Sequence, residues 1–134
     1  MTGVAAHDQE EMTMLDRERA VGFAESWCDA WNRRDIEAIL SHYAEDAALN
    51  SPLVAQRFGV ADGWIRGKAR LRENFMIGLR TQGMHFSLET LLFGQQSFCV
   101  LYRRETGKLV SDLFEIDAQG LALRVVACHG EDGR

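Results

Sequence analysis

Four strand-like segments follow one another in the C-terminal part of the chain, and this run limits the possible folds more than any other feature. The segments cover residues 85–93, 97–104, 108–116 and 121–129. Turn-forming residues separate them at 94–95, 105–107 and 117–120. The last turn begins with Asp117 and ends with Gly120, which suits a type I turn. Consecutive strands joined by short turns predict an antiparallel meander.

Helices are predicted before the meander, from apolar residues that recur at steps of three and four. The first is expected to start at Thr13, and its apolar face consists of Ala20, Ala24, Trp27, Cys28 and Trp31. Asp35 is placed to cap a second, short helix that carries Ile36, Ile39, Leu40 and Tyr43. A third helix is predicted from about Lys68 to Arg80.

Two further strands lie between these helices. The first begins at about Ala47 and ends at Pro52, where a missing backbone donor is tolerated. Residues 64–67 predict a short strand, and residues 53–63 predict an irregular segment.

The order of elements predicts an α+β fold. A sheet of this size must cover one face, and three helices are the available cover, so we expect a cone-shaped, curved antiparallel sheet wrapped around them. The hollow between sheet and helices is a place for a small apolar ligand. We expect one domain over residues 13–130, with a flexible N-terminal tail at 1–12 and a C-terminal tail at 131–134.

Composition excludes several classes of partner. The 134 residues carry a net charge of −5, which argues against nucleic acid as a partner. The sequence has no apolar run near membrane-spanning length and no signal peptide pattern, so we expect a cytoplasmic protein that binds no membrane. Cys28, Cys99 and Cys128 are odd in number and lack CxxC spacing, which favours buried free thiols over a reactive thiol. The scattered histidines indicate no metal site, and we expect no cofactor.

Two stretches resemble a known family: SWCDAWNRRDIEAILSHYAEDAALNSPLV at residues 26–54 and IRGKARLRENF at 65–75. They are similar to the nuclear transport factor 2-like superfamily, in its SnoaL-like and ketosteroid-isomerase-like branch. The resemblance implies an α+β cone that is commonly a homodimer through its outer sheet face. It also implies a small hydrophobic or aromatic ligand, but the scaffold hosts isomerases, dehydratases, cyclases, epoxide hydrolases and binding proteins.

The ketosteroid-isomerase pattern is met at one of three positions. Trp27 stands at the place of the oxyanion-hole tyrosine, and Ser51 at the place of the catalytic carboxylate. Asp112 stands at the place of the second oxyanion-hole donor, an aspartic acid. A serine hydroxyl without a partner cannot take a proton from carbon at neutral pH, which argues against steroid isomerisation by that mechanism.

Asp112 is the leading candidate for a catalytic residue. Phe114 and Ile116 must point inward, so alternation along the strand turns Asp112 inward too, where apolar neighbours should raise its pKa. The alternative is an aspartate that is hydrogen-bonded to backbone or water at the strand end. His129 is the second candidate. If Asp112 faces Val125, then Leu123 and His129 also face the cavity, with His129 about 13 Å along the strand from the residue opposite Asp112. A register slip of one residue turns His129 outward, and a histidine on the outer sheet face or at the chain end is the alternative.

Other residues are expected around the pocket. Its predicted lining is Trp27, Tyr43, Ser51, Phe98, Phe114 and Val125, although core packing also explains the aromatic residues. Arg57 and Asn50 are candidates to anchor a ligand at the mouth, and a solvated loop charge is the alternative for Arg57. Arg103 and Arg104 are expected at a solvated edge.

Three functions fit these expectations. A cofactor-free isomerase, dehydratase or cyclase requires Asp112 beside open cavity with a raised pKa. A non-catalytic binding protein requires a closed apolar cavity of roughly 300 Å³ or more. A dimeric interaction module would have a cavity filled by Trp27, Phe98 and Phe114.

Overall fold

The computed structural model describes the backbone of residues 2–131 and the side chains of residues 17–131. Its helices are α1 (Thr2–Asn32), α2 (Ile36–Leu40), α3 (Pro52–Phe58) and α4 (Lys68–Leu79). Its strands are β1 (Tyr43–Asn50), β2 (Trp64–Arg66), β3 (Ser87–Phe93), β4 (Ser97–Arg103), β5 (Leu109–Ile116) and β6 (Ala122–His129). Within the described residues, we find no helix with the length and apolar character that a membrane crossing requires.

The six strands form one sheet in the order β2-β1-β6-β5-β4-β3. The meander is confirmed, because β3 to β6 pair in succession and antiparallel. One junction differs from the predicted antiparallel sheet, because β1 lies parallel to β6. The α+β class is confirmed, with the sheet packed against the helices.

The first helices differ from the predicted bounds. The structure starts α1 at Thr2 and not at Thr13, and no proline interrupts residues 2–12. Asp35 caps α2 as predicted, since its Oδ1 accepts a hydrogen bond from the Ala38 amide at 3.1 Å. That helix ends at Leu40, however, and Tyr43 opens β1 instead of continuing the helix. The side chains of the predicted N-terminal tail, residues 1–12, are not among those that the structure describes. Of the predicted C-terminal tail, 131–134, only residue 131 is described.

The prediction of an irregular segment at 53–63 is wrong, because residues 53–58 belong to α3. Ser51 caps this helix: its Oγ accepts a hydrogen bond from the Leu53 amide at 3.1 Å. Pro52 occupies the first turn, where its missing N–H has no intrahelical partner to lose. Gly59 ends the helix in the left-handed conformation, with φ 66°. These terminal signals outweigh the weak apolar periodicity of a short helix.

Aromatic side chains from α1 fill one end of the space under the sheet. The Phe23 ring lies 5.2 Å from that of Phe98 and 4.9 Å from that of Phe114, centroid to centroid. Trp27 packs on the other side of Phe114, with ring centroids 5.4 Å apart. Phe114 and Val125 have no exposed surface. Phe23, Trp27 and Phe114 therefore form solid core at this end.

The register of β5 on β6 is shifted by two residues from the prediction. Asp112 lies opposite Ala127, and not opposite Val125. The turn extends to residue 121, where the Asp117 amide donates to the Leu121 carbonyl at 2.9 Å, and a bulge follows between Glu115 and Ile116. Each of these two features moves the pairing by one residue.

The bulge and the register shift change which side chains of β6 face the cavity and how far they lie from Asp112. Leu123, predicted to face the cavity, is 42% exposed on the outer face, because the bulge reverses the alternation at this end of the strand. His129 keeps its inward side and is now two residues from Ala127, roughly 7 Å along the strand. The candidate acid and the candidate histidine are therefore nearer to one another than the sequence predicted.

Candidate functional site

A cavity of about 70 Å³ remains between the helices and the inner face of β4 to β6. Its wall is formed by Trp27, Trp31, Leu49, Leu53, Arg57, Asn74, Phe75, Gly78, Phe86, Tyr102, Arg104, Asp112, Ala127 and His129. The wall is mostly aromatic and apolar, with a few charged groups. The volume is far below the roughly 300 Å³ expected for a protein that stores a drug-sized ligand.

Asp112 projects from the middle of β5 into this cavity wall. Alternation along β5 places Val110, Asp112 and Phe114 on the same inner face, all of them buried. Burial raises the pKa of the Asp112 carboxyl from 3.8 to about 7, while a hydrogen bond from Tyr102 and the charge of Arg104 act in the opposite direction. The group therefore exists in both protonation states near neutral pH.

Tyr102 is the hydrogen-bond partner of this carboxyl. Its hydroxyl donates to Asp112 Oδ1 at 3.1 Å. Val100 lies directly opposite Asp112 across the β4–β5 pair, so Tyr102, two residues further along, is the diagonal neighbour. Burial raises the pKa of Tyr102 well above its ordinary value, so the hydroxyl stays protonated and acts as a donor. The sequence prediction missed this residue, although the alternation of Phe98, Val100 and Tyr102 was a usable signal.

His129 also reaches the cavity wall, from the end of β6. Its pKa is lowered to about 4, first by burial and then by the positive charges of Lys108, Arg104 and Arg57. The imidazole is therefore neutral at physiological pH. In that state it can donate or accept a hydrogen bond.

Arg104 corrects an expectation, because it belongs to the cavity wall and not to a solvated edge. Its side chain is 16% exposed, and its Nε donates to Glu105 Oε1 at 3.1 Å. Its guanidinium carbon lies 5.1 Å from the centre of the Phe86 ring. Pairing with Glu105 and stacking on Phe86 hold the side chain against the protein.

Arg57 lies in the cavity wall and reaches it from the last turn of α3. Its Nη1 donates to two oxygens of the buried Asn74, the carbonyl at 3.2 Å and Oδ1 at 2.9 Å. Burial, followed by the charge of Arg104, lowers the pKa of Arg57. The side chain is therefore held at the cavity by α4, and is not a free loop charge.

Trp27 and Trp31 bring aromatic rings from α1 to the wall. The Trp27 Nε1 donates to the Tyr43 hydroxyl at 2.9 Å, so this indole donor is already used within the protein. The Trp31 Nε1 is buried and has no hydrogen-bond partner among the described residues. Tyr43 itself is buried behind Trp27 and does not line the cavity.

A model of the SnoaL-like domain matches residues 24–130. The chain belongs to the SnoaL-like family. A SnoaL-like protein of unknown function from Burkholderia thailandensis E264 is 31% identical; the match covers 85% of this chain and 96% of the other, with a TM-score of 0.76. A putative ketosteroid isomerase from Kribbella flavida DSM 17836 is 24% identical, with coverages of 85% and 79% and a TM-score of 0.65. TerC, co-crystallised with polyporic acid, is 18% identical, with coverages of 82% and 90% and a TM-score of 0.67.

These similarities confirm the predicted superfamily and branch of this SnoaL-like protein. Structures of the same fold include an NTF2-like protein from Cytophaga hutchinsonii ATCC 33406. At 24% identity and below, the similarity shows the fold alone and transfers no activity. No curated protein matches this chain.

Several predicted pocket residues of this SnoaL-like protein lie elsewhere. Ser51 is 5% exposed and caps α3, and the Asn50 amide donates to the Asp62 carbonyl at 2.8 Å, so both stabilise the segment around α3. Phe114 and Val125 are core residues outside the cavity wall, and Phe114 packs against Phe23 and Trp27 of α1. Phe98 borders a different surface hollow of about 190 Å³, next to Arg17.

None of the three cysteines is among the described residues of the cavity wall, and the expectation of buried thiols holds for Cys28 but is wrong for Cys128. Burial, followed by the charge of Asp112, raises the pKa of Cys28 to about 12, so this cysteine stays a thiol. Cys99 is half-buried and Cys128 is exposed, and all three are free. Within residues 17–131, the His, Cys, Asp and Glu side chains form no group of three or more that could hold a metal ion.

Proposed function

We propose that this SnoaL-like protein is a cofactor-free catalyst that moves a proton on a small carbonyl compound, with Asp112 as the proton carrier. The observation that supports this proposal is a carboxyl group with a pKa of about 7 in the wall of an aromatic cavity. A group with that pKa can both take and return a proton at neutral pH.

The reaction begins with Asp112 as the carboxylate. It takes a proton from the carbon next to the carbonyl: the C–H bond breaks, and its electron pair moves onto the carbonyl oxygen to form an enolate. Asp112 is then a neutral carboxylic acid, which is the form that its burial favours. It returns the proton to the same carbon or to a conjugated one, so the outcome is exchange or isomerisation.

Three neighbours assist this step. The Tyr102 hydroxyl donates to Oδ1 and so leaves Oδ2 as the oxygen that meets the substrate. Arg104 places a positive charge near the carboxyl, which favours negative charge on the enolate oxygen. Neutral His129 supplies a hydrogen bond to an oxygen without adding a proton.

The size of the cavity favours a small substrate. A cavity of about 150 Å³ accepts benzene, whereas this one measures about 70 Å³. A short carbonyl compound fits it, or the reacting end of a longer molecule whose remainder lies at the mouth. The same comparison counts against storage of a large hydrophobic ligand. TerC, which shares the fold, was co-crystallised with polyporic acid, which supports an organic ligand for this scaffold.

Proton exchange in deuterium oxide tests the proposal without knowledge of the natural substrate. Acetone, cyclopentanone and acetophenone are incubated with the protein, and loss of the proton signal next to the carbonyl is followed by NMR. We expect the wild type to accelerate exchange, with a rate that rises with pH and levels off above about 7. Asp112→Asn removes the base without changing the shape, and should lower the rate by about 10²-fold or more.

Asp46→Asn is the matched control, because Asp46 is an exposed aspartate on β1, away from the cavity. It should exchange at the wild-type rate. Equal rates in wild type and Asp112→Asn would refute Asp112 as proton carrier. Binding of these ketones by both proteins, with no exchange in either, would instead favour a non-catalytic binding protein.

We also propose that the chain forms a homodimer through the outer face of its sheet. Alternation leaves Leu101, Leu113 and Val126 half-buried on that face, and Leu92 is 57% exposed beside them. Apolar area of this kind is commonly covered by a partner. Leu113→Glu should convert the dimer to a monomer in light scattering, and a wild-type monomer would refute this proposal.

A further inference from the structure

Arg57 carries a positive charge, and no acidic side chain among residues 17–131 forms an ion pair with it. Its hydrogen bonds go to the two uncharged oxygens of Asn74. A half-buried guanidinium in a cavity wall, bound only by neutral acceptors, keeps donors and charge available for an anion.

The other charged groups of the cavity wall do not cancel the positive charge of Arg57. Arg104 is paired with Glu105, which offsets part of its charge. Asp112 is the one acidic side chain of the described wall, and burial keeps it largely protonated below about pH 7. The pKa of His129 is lowered first by burial, and the positive charges of Lys108, Arg104 and Arg57 add to this effect in the same space. A positive potential attracts an anionic group and repels a cationic one.

The space beside the Arg57 guanidinium is bounded by flat rings. A Cβ atom on Gly78 would lie 3.5 Å from two ring carbons of Trp31 and 4.0 Å from Arg57 Nη1, so glycine at 78 leaves this corner open. The Trp31 and Phe75 rings meet edge to face, with centroids 5.3 Å apart. The Nε1 of the same Trp31 ring is buried and has no hydrogen-bond partner among the described residues.

We infer that the cavity binds the carboxylate of a small organic acid, with Arg57 as the group that holds the carboxylate. A carboxylate fits a guanidinium in plane and accepts two of its N–H donors, whereas Asn74 occupies only Nη1. The volume of about 70 Å³ limits the bound part to a short or planar acid. This inference rests on the proposed function for its role: the natural substrate is then an acid that also carries the carbonyl on which Asp112 acts.

Binding of simple acids and their amides tests the inference. Acetate and propionate are titrated against acetamide and propionamide, which have nearly the same shape without the charge, and inorganic phosphate is included as a different anion. Binding is measured at pH 6 by two-dimensional NMR, with the indole N–H signal of Trp31 as the local probe, and by calorimetry. We expect each acid to bind about tenfold or more tightly than its amide.

Two substitutions of Arg57 assign the effect. Arg57→Gln removes the charge and should abolish the preference for the acid, whereas Arg57→Lys keeps the charge and should retain part of it. Arg80→Gln is the matched control, because Arg80 is exposed at the end of α4 and caps it through its backbone amide. This variant should bind as the wild type does.

The outcomes separate the two proposals. Equal affinity of the wild type for acids and amides would overturn the inference, even if Arg57→Gln does not fold. Tighter binding of phosphate than of either carboxylate would overturn it as well, and so would an unchanged preference in folded Arg57→Gln. If acids bind selectively but no carbonyl compound exchanges protons, the carboxylate site stands and the proposed catalysis fails. If neutral ketones exchange protons and the acids bind no more tightly than their amides, the proposed catalysis stands and the carboxylate site fails.

Discussion

Replacing Asp112 by asparagine should make this protein more stable at alkaline pH, although the residue is buried. Burial raises the pKa of Asp112 from 3.8 to about 7, so the folded state favours the protonated carboxyl. Between these two values the folded state binds more protons than the unfolded state does. Stability therefore falls as pH rises through this window. Asparagine has no proton to lose, and its oxygen can still accept the hydrogen bond from Tyr102.

The magnitude follows from the two pKa values. Their difference, at about 1.36 kcal/mol per unit, corresponds to about 4 kcal/mol of destabilisation once the pH is well above 7. Between pH 5 and pH 8 the stability difference between Asp112→Asn and wild type should therefore grow by about 3 kcal/mol. A change of that size is a large fraction of the stability of a small domain.

Urea unfolding at pH 5, 6, 7 and 8, followed by tryptophan fluorescence, measures this difference for the two proteins. His129 acts with the opposite sign: its lowered pKa removes stability as pH falls, but it is present in both proteins and cancels in the comparison. A stability difference that does not change with pH would show that Asp112 does not titrate in this range, and would remove the basis of the proposed chemistry.

Three further predictions concern single groups. Tyr102→Phe removes a hydrogen bond that lowers the pKa of Asp112, so the carboxyl resonance of Asp112 in carbon NMR should titrate at higher pH; an unchanged midpoint would contradict this contact. The His129 imidazole should titrate near pH 4, and its midpoint should rise in Arg57→Gln, where one repelling charge is lost; proton NMR of the ring follows both. Ser51→Asp should not restore proton exchange to Asp112→Asn, because this side chain caps α3 outside the cavity; recovered activity would mean that position 51 reaches the substrate.

The meander was predictable because its signals are local. Each turn carries glycine or aspartate at the positions that reverse the chain, and the strands between them have the period of two that a half-buried sheet requires. The same period was enough to turn Asp112 inward, since Phe114 and Val110 share its face. The face of a residue within one strand is therefore available from sequence.

The position of a residue against the next strand is not available in the same way. The predicted pairing of Asp112 with Val125 was wrong because the turn closes one residue later than assumed and a bulge adds another. Neither feature has a distinctive residue in this segment. An error of two residues keeps the face of a residue and changes its distance along the strand. The predicted separation of His129 from Asp112 was therefore wrong, whereas the sequence left open whether His129 lies on the inner or the outer face.

The charged part of the site escaped prediction for a different reason. Arg104 follows β4 in an exposed-looking run with Arg103 and Glu105, and its burial depends on the Phe86 ring, which comes from a distant part of the sequence. Arg57 depends likewise on Asn74 of α4. Contacts between residues far apart in the chain decide whether such a side chain is solvated, and periodicity within one segment carries no information about them.

The segment after β1 supplies a cation to the cavity wall. The ketosteroid-isomerase pattern has a catalytic carboxylate just before Pro52, but here Ser51 and Pro52 start a helix, and that helix places Leu53 and Arg57 in the cavity wall. This position therefore contributes positive charge, and the acid comes from β5 across the cavity. The distance between the cation and the acid matters, because burial can raise the pKa of Asp112 to near neutral only if no strong ion pair keeps its carboxyl ionised. Asn74 binds Arg57 through neutral oxygens and so fixes the cation without neutralising it, which leaves both groups available to a substrate.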